Sequence, residues 1–229
     1  MKISRLKIDL EDKILVDIDF EIKSSLALVG QSGSGKSLTL KALLGMLPSS
    51  MKCELDVDAK FELKAGKNIS FVPQNPFTAL SPLTKIRKQF FVDEARIREL
   101  FSQVDLDVSL LDRFVPELSG GQLQRVVIAI ALEQEPKLIL LDEPTTALDP
   151  ETRTLILDLL RKLQKIHGFK MLFVTHDMNS AKAICEDICV IKDGKIVESG
   201  NMLNILNSPQ KEYTKTLIEA NFANREFRR

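Results

Sequence analysis

The first thirty residues carry two patterns of hydrophobic positions. Apolar and polar residues alternate with period two over residues 3–10 and again over 14–22, which is typical of paired, half-buried strands around a turn at 11–13. Residues 25–29 are mostly apolar and stop at Gly30, which indicates a buried strand. The chain is therefore predicted to open with a β-hairpin and to continue into a covered sheet.

Predicted helices and strands alternate through the rest of the chain. The predicted helices cover residues 38–47, 120–133, 152–167 and 178–185. The predicted strands cover 55–71 (in short pieces), 137–141, 170–175 and 188–198, the last with a turn at Asp193 and Gly194. Residues 75–116, which open with two prolines and then carry charged, helical spacing, are interpreted as an inserted helical subdomain. Helices alternating with apolar strands predict a largely parallel sheet in one domain over residues 1–229.

Composition narrows the class of protein. The 229 residues are 44% hydrophobic and 28% charged, with 32 Lys+Arg against 32 Asp+Glu, so no overall charge favours a nucleic-acid partner. The apolar runs fall far short of the roughly 20 residues that a membrane span needs. The N-terminus does not resemble a signal peptide. The three cysteines are expected to be buried thiols, and the chain is expected to be cytoplasmic.

A glycine-rich loop follows the predicted strand at 25–29. It matches the pattern G-x-x-x-x-G-K-[ST] with Gly30, Gln31, Ser32, Gly33, Ser34, Gly35, Lys36 and Ser37. Glycines let the backbone turn tightly enough to point N–H groups at phosphate oxygens, and the helix that follows adds its positive end. Lys36 can reach the β- and γ-phosphates, and Ser37 can bind Mg²⁺. The loop predicts nucleotide binding.

The apolar run at 138–141 ends in two carboxylates, Asp142 and Glu143. A strand this apolar must be buried, so ionised groups at its tip are expected in a cleft at the carboxyl end of the sheet. Asp142 suits Mg²⁺ coordination, directly or through water. Glu143 suits polarisation of the water that attacks the γ-phosphate.

A second anion-binding device opens the helix predicted at 120–133. Ser119 can cap this helix, and Gly120 and Gly121 leave the N–H groups of its first turn accessible, before Gln122. One triphosphate seldom needs two such devices. The sequence therefore predicts two chains packed head to tail, each completing the other's site.

The order of these motifs, together with Gln74, Asp149 and His176, resembles the nucleotide-binding domain of ABC transporters through nearly the whole chain. The resemblance implies an α/β fold: a P-loop NTPase (RecA-like) core with an N-terminal antiparallel β subdomain and an inserted helical subdomain at 75–116. It also implies an ATPase that uses ATP and Mg²⁺.

The resemblance implies a role for each matching residue. The implied catalytic residues are Glu143, His176 and Gln74, where His176 holds the γ-phosphate and the water and Gln74 couples to the membrane subunits. The implied metal ligands are Ser37, Gln74 and Asp142. Beyond the glycine-rich loop, the implied nucleotide contacts are Thr39, Ser119, Gly120, Gly121, Gln122 and Asp149. Ser119 and Gly121 would contact the partner's γ-phosphate, and Asp149 would link the two sites.

A narrower likeness lies in residues 74–82, 143–149, 194–200 and 208–217, which resemble the oligopeptide/dipeptide/nickel importer ATPases. Residues 37–40 and 44–48 are more similar to the first of the paired ATPases, the nickel type in particular. This likeness implies a peripheral subunit on the cytoplasmic face of the inner or plasma membrane. Its expected partners are a second ATP-binding subunit, identical or homologous, two permease subunits and, indirectly, a solute-binding protein.

One departure and several alternatives accompany this reading. The family usually has an aromatic residue in the first hairpin that stacks on adenine, whereas residues 8–11 here are Ile8, Asp9, Leu10 and Glu11, so base selectivity is expected to be weaker.

The main alternative is an ABC ATPase outside transport, such as a translation or DNA-repair factor. A P-loop kinase would have no use for the Ser119 helix, and a nucleotide-gated scaffold would lack hydrolysis.

Overall fold

The hairpin predicted at the N-terminus is confirmed. In the computed structural model, which describes residues 1–223, β1 (Lys2–Leu10) pairs antiparallel with β2 (Lys13–Glu21). The turn is shorter than predicted, because Lys13 already pairs with Leu10. Only Glu11 and Asp12 connect the strands, and Glu11 has a φ of 53°, as tight hairpin turns require.

The chain divides into two compact units, Met1–Leu63 with the chain from Lys170 onward, and Lys64–Phe169. The first unit also contains the strands β3 (Ser25–Val29), β4 (Met51–Asp58), β7 (Lys170–Thr175), β8 (Asp187–Lys192) and β9 (Lys195–Asn201). Its helices are α1 (Lys36–Leu43), α6 (Met178–Ile184), α7 (Met202–Asn207) and α8 (Glu212–Ala223). The second unit contains β5 (Ile69–Val72), β6 (Leu138–Asp142), α2 (Pro76–Ala79), α3 (Glu94–Gln103), α4 (Gly120–Ala131) and α5 (Pro150–His167).

Two sheet regions build the first unit. One is antiparallel, with the strand order β2-β1-β4. In the other, β3 pairs in parallel with both β7 and β8, and β9 pairs antiparallel with β8. Every residue of β3 is buried, which explains why its sequence is a continuous run rather than an alternation. The predicted turn at Asp193 and Gly194 connects β8 and β9, with φ of 48° and 74°.

The second unit packs its helices beside a parallel strand pair. Ile69 of β5 lies opposite Leu138 of β6, and residues 138–141 are fully buried. The inserted segment at 75–116 lies entirely in this unit. It is less helical than its spacing predicted, because α3 is its one α-helix longer than about one turn and the rest consists of α2, short 3-10 helices and loops. The apolar face of α3 includes Phe101, whose ring centroid is 5.8 Å from that of Phe90.

The helix predicted over 38–47 is shorter than expected, because α1 ends at Leu43. Gly45 takes the left-handed conformation, with a φ of 68°. The N–H of Met46 donates to the Lys41 carbonyl at 2.8 Å, which closes a Schellman motif. The helix therefore stops at the glycine, three residues before Pro48.

Other predictions were incomplete or wrong. No element was predicted after residue 198, whereas the structure has α7 and α8 there. Cys185 and Cys189 are buried as expected, and burial raises the pKa of the Cys189 thiol to about 12. Cys53 on β4 is exposed, which corrects the expectation that all three thiols are buried.

Within residues 1–223, no helix is both long enough and apolar enough to cross a bilayer.

Candidate functional site

The glycine-rich loop connects β3 to α1 in the first unit. Gly33 and Gly35 have φ of 79° and 108°, a conformation that residues with a Cβ rarely adopt. Gly35 is the N-cap of α1, so the helix begins at Lys36. Gln31, Ser32, Gly33 and Ser37 are exposed, whereas Ser34 and Lys36 are buried. Residues 31–33 and 37 thus form the solvent-exposed rim of the loop, and Lys36 lies inside it.

Other glycines of the first unit allow backbones to meet at this loop. A Cβ on Gly30 would lie 2.3 Å from the carbonyl oxygen of Ile191, and one on Gly194 would lie 2.1 Å from that of Leu15. The N–H of Gly194 donates to the Ser34 carbonyl at 3.0 Å, and the N–H of Asp17 donates to the Gly194 carbonyl at 2.8 Å. The β8–β9 turn thus joins the first hairpin to the loop.

Lys36 folds back into the loop that precedes it. Its side-chain Nζ donates to the carbonyl oxygens of Gly30 at 2.6 Å and Gln31 at 2.8 Å, and the residue is only 7% exposed. Thr39 is fully buried, and its hydroxyl donates to the Gly35 carbonyl at 3.1 Å, which stabilises the first turn of α1. The Oγ of Ser34 is buried and has no hydrogen-bond partner within residues 1–223.

Asp142 and Glu143 follow β6 in the second unit, where both are half-buried. Glu143 has a φ of 45°, which is uncommon for a residue other than glycine and costs on the order of 1–3 kcal/mol. The Thr146 hydroxyl donates to Glu143 Oε2 at 3.0 Å, and the Thr146 N–H donates to the Glu143 carbonyl at 3.2 Å. A strained backbone held by its neighbours fixes the direction of this carboxylate.

The capping role predicted for Ser119 is confirmed. The Gln122 N–H donates to Ser119 Oγ at 3.2 Å, and the Ser119 N–H donates to Gln122 Oε1 at 2.9 Å, which completes a capping box at the start of α4. The Gln122 side chain is therefore turned back onto the helix end. A Cβ on Gly121 would lie 2.7 Å from Thr152 Cγ2, so the start of α4 packs directly on the start of α5.

Asp149 caps α5 beside that contact. Its Oδ1 accepts the N–H groups of Glu151 at 3.1 Å and Thr152 at 3.0 Å. Hydrogen bonds from Thr152 hold the pKa of the Asp149 carboxyl below its usual value. Within the second unit, the structure thus brings Gly121, Thr152 and Asp149 together. Gln74 lies in the same unit, exposed, just after β5.

His176 is exposed in the first unit, between β7 and α6. The neighbouring Asp177 caps α6: its Oδ1 accepts the Asn179 N–H at 3.0 Å, and its Oδ2 accepts the Ser180 hydroxyl at 2.5 Å.

One contact to the glycine-rich loop was not predicted. The Gln31 N–H donates to the hydroxyl of Tyr213 on α8 at 3.2 Å. The only sequence signal for Tyr213 was its place in the importer-like segment 208–217.

The strand, the glycine-rich loop and the helix that begins at its lysine define a P-loop nucleotide-binding fold. The sequence profile of the ABC transporter family matches residues 15–146. The chain belongs to this family.

Curated relatives carry transport names. The chain is 37% identical to a peptidoglycan transport ATP-binding protein, YejF, of Agrobacterium fabrum, over 90% of this chain and 42% of the relative. It is 33% identical to YejF of Escherichia coli, over 90% of this chain and 43% of the relative. It is also 33% identical to the oligopeptide transport ATP-binding protein OppD of Lactococcus lactis, over 91% of this chain and 70% of the relative. The chain thus spans less than half of either YejF relative.

Solved structures agree on the fold. The ATP-binding cassette MJ0796, a dimer in a post-hydrolysis state with ADP and phosphate, superposes with a TM-score of 0.69 at 28% identity, covering 88% of this chain and 98% of that one. CbiO1 of Clostridium perfringens, part of a cbiONQ transporter complex, superposes with a TM-score of 0.75 at 24% identity, covering 99% and 96%. The predicted α/β P-loop NTPase fold is confirmed.

The contact between Gly121 and Thr152 generates a stability prediction. Gly121→Ala should lower the free energy of unfolding by about 1–2 kcal/mol, because the overlap of the new methyl group with Thr152 Cγ2 outweighs the helix propensity that alanine adds. Thr152→Ser in the same chain removes that methyl and should restore most of the loss. Urea denaturation followed by circular dichroism measures both variants.

Gly120→Ala is the matched control for this pair. Its Cβ would lie 3.7 Å from Leu148 Cδ2, an ordinary contact, and alanine favours a helix over glycine, so stability should not fall. If Gly121→Ala is harmless, or if Thr152→Ser rescues nothing, the two helix starts do not pack as described.

Proposed function

We propose that this chain is the ATP-hydrolysing part of an ABC importer, and that it converts ATP binding and hydrolysis into movement of solute by membrane subunits. The observation that carries the proposal is the loop from Gly30 to Ser37, which is closed around the buried ammonium of Lys36. The ABC ATPases outside transport are the weaker candidate, because the relatives described above are named for transport.

The loop suits the phosphates of a nucleotide. The Lys36 ammonium lies inside the loop, where it donates to the Gly30 and Gln31 carbonyls, and a phosphate oxygen could accept a charge-assisted hydrogen bond from it. The Ser34 hydroxyl is buried without a hydrogen-bond partner in the described part of the chain, so it can donate to a phosphate oxygen. A Cβ on Gly33 would meet nothing within 4 Å, which leaves the rim open for a ligand. These features support the phosphate chain of a nucleotide as the ligand, and the family likeness supports ATP.

Magnesium would be held by the Ser37 hydroxyl and the Asp142 carboxylate, with Gln74 as a further oxygen donor. Hydroxyl, carboxylate and amide oxygens are the hard ligands that Mg²⁺ prefers. The ion, when bound, neutralises charge on the phosphate oxygens. The assignment of these residues rests on the family motif.

Glu143 is the general base of the proposed reaction. Its carboxylate, fixed by Thr146 and by the strained backbone, accepts a proton from the water that attacks the γ-phosphate. His176 holds the γ-phosphate and the same water, a role that follows from the family likeness. Water, rather than the hydroxyl of a substrate, is the proposed acceptor of the phosphoryl group, an assignment that follows from the family likeness.

The second unit contains the residues that we assign to the nucleotide of a partner chain. Ser119, Gly120 and Gly121 open α4 with N–H groups suited to an anion, and Asp149 caps the adjoining α5. We assign Ser119 and Gly121 to the γ-phosphate bound by a second ATP-binding chain, identical or homologous, and Asp149 to communication between the two sites. The dimeric MJ0796 structure is a relative in which two such chains associate.

The relatives point to the solute class. YejF of Agrobacterium fabrum and OppD are named for peptidoglycan and oligopeptide transport, which favours a peptide-containing solute. The nickel solute suggested by residues 37–48 stays a prediction without support from these names. The proposed partners are two permeases and a solute-binding protein, and the proposed place is the cytoplasmic face of the inner or plasma membrane. The proposed partners and the proposed location both rest on the chain's likeness to importer ATPases.

Glu143→Gln tests the hydrolytic role. The amide keeps the size of the side chain and can still accept the Thr146 hydroxyl, but it cannot take a proton from water. Hydrolysis by the assembled complex should fall by roughly 10²–10⁴-fold while ATP binding stays nearly unchanged. Phosphate release and equilibrium binding measure the two effects.

Glu135→Gln is the matched control, because Glu135 is also a glutamate of the second unit with positive φ, 49°. It is exposed and pairs with Arg96 at 3.4 Å, so its change should leave turnover intact. Near-normal turnover of Glu143→Gln would show that another group activates the water.

Ser119→Arg tests the shared site. In the Glu143→Gln background, ATP should drive two chains together, which light scattering detects. Arginine at 119 would place a bulky cation where the partner's phosphate lies, so the pairing should be lost while ATP still binds to the variant's own loop. Ser119→Ala, which loses the same helix cap at a cost of about 1 kcal/mol, controls for stability and should retain more pairing. A monomer that hydrolyses ATP at full rate, at any concentration, would contradict the shared site.

A further inference from the structure

The C-terminal helix α8 touches the glycine-rich loop through a single side chain. The hydroxyl of Tyr213 accepts the N–H of Gln31 at 3.2 Å. Lys192 Nζ lies 5.0 Å from the centroid of the Tyr213 ring, a distance at which the cation attracts the ring face. The ring is thus held on β8 while its hydroxyl reaches the loop.

The N–H that Tyr213 accepts belongs to the same peptide unit as the Gly30 carbonyl. A peptide unit is planar, so a contact that fixes its N–H also fixes the direction of its C=O. That carbonyl is the nearer acceptor of the Lys36 ammonium, at 2.6 Å. The unit is therefore held on one side by Tyr213 and on the other by Lys36.

Both ends of α8 are anchored, which gives Tyr213 a fixed position. At the start, the Glu198 carboxylate of β9 accepts the N–H groups of Gln210 at 2.7 Å and Lys211 at 3.1 Å. Burial alone would raise the pKa of the Glu198 carboxyl. The hydrogen bonds it accepts, of which the one from the Gln210 N–H has the largest effect, lower this pKa below its usual value. The buried face of the helix includes Thr214 and Leu217.

The other end of α8 reaches the segment after His176. The side-chain Oδ1 of Asn221 accepts the N–H of Met178 at 3.1 Å, and its Nδ2 donates to the Leu217 carbonyl at 2.9 Å. Met178 is the first residue of α6 and follows His176 by two positions. One helix thus contacts both the loop that holds Lys36 and the segment that carries His176.

We propose that Tyr213 is a positioning residue for nucleotide binding: its hydroxyl fixes the peptide between Gly30 and Gln31, and α8 links this loop to the segment after His176. This inference rests on the proposed function, since it assumes that the loop binds ATP. Tyr213 is assigned to the loop and not to the chemical step. It sets the loop geometry that Lys36 uses, so its loss acts on affinity for nucleotide more than on the chemical step.

Tyr213→Phe tests the hydroxyl alone, because the ring over Lys192 is kept. The full chain should bind a fluorescent ATP analogue with a Kd about three- to tenfold higher than the unchanged chain, the worth of one net hydrogen bond. KM for ATP should rise by a similar factor in the assembled complex, with kcat changed much less. Thr216→Val is the matched control. It removes a hydroxyl from the same helix whose hydrogen bond, to the Glu212 carbonyl, is local, so the Kd should not change.

A second measurement needs no substitution. The chain has one tyrosine and no tryptophan, so its intrinsic emission comes from Tyr213. Titration with Mg·ATP, excited at the red edge of the phenol band, should change this emission and saturate at the Kd found with the analogue. Lys36→Ala, which loses the phosphate contact, should shift this emission change to ATP concentrations about 10–100-fold higher.

The outcomes separate the two claims. No nucleotide binding by the unchanged chain would overturn the proposed function. Normal binding with an unchanged Kd in Tyr213→Phe, or with an emission that does not respond to ATP, would overturn the role of Tyr213 alone. A Tyr213→Phe chain with a raised Kd and a thermal midpoint equal to that of Thr216→Val would support positioning over a general loss of stability.

Discussion

The close approach of backbones at the glycine-rich loop is the constraint on which the rest of the first unit depends. Gly30 lies against the Ile191 carbonyl and Gly194 against the Leu15 carbonyl, at distances that no Cβ could share. These contacts let β8, the first hairpin and the loop converge. The convergence closes the loop around Lys36, whose ammonium is then satisfied by two carbonyl oxygens. An alanine at either glycine would push apart the elements that shape the loop.

The second unit holds its candidate residues by local means. Ser119 and Gln122 cap each other, and Asp149 caps α5 through adjacent N–H groups. Glu143 is the exception, because its left-handed backbone is maintained against its own preference. Strain of this kind lowers stability, but it fixes the direction of the carboxylate before a ligand arrives, which suits the role proposed for Glu143. Surface turns such as that at Glu11 adopt the same conformation without this consequence.

Motifs with local causes could be predicted from the sequence, and contacts between distant residues could not. The loop, the cap at Ser119 and the turn at Asp193 and Gly194 each follow from neighbouring residues. The end of α1 at Leu43 was not predicted, because a glycine within an apolar stretch gives no sign in the sequence that its backbone is left-handed. The Tyr213–Gln31 contact spans 182 positions and depends on where α8 docks, which periodicity cannot report. The strain at Glu143 was likewise invisible, because it depends on the structure around that residue.

Calorimetric titration of the chain with Mg·ATP shows directly whether the loop closed around Lys36 is a nucleotide site. We expect one ATP to bind per chain and the affinity to fall by about 10–100-fold in Lys36→Ala, the worth of a hydrogen bond to a charged group. Lys41→Ala removes an exposed lysine from the same helix and should bind as the unchanged chain does. Equal affinities in all three proteins, or no binding in any, would show that the loop around Lys36 is not a nucleotide site.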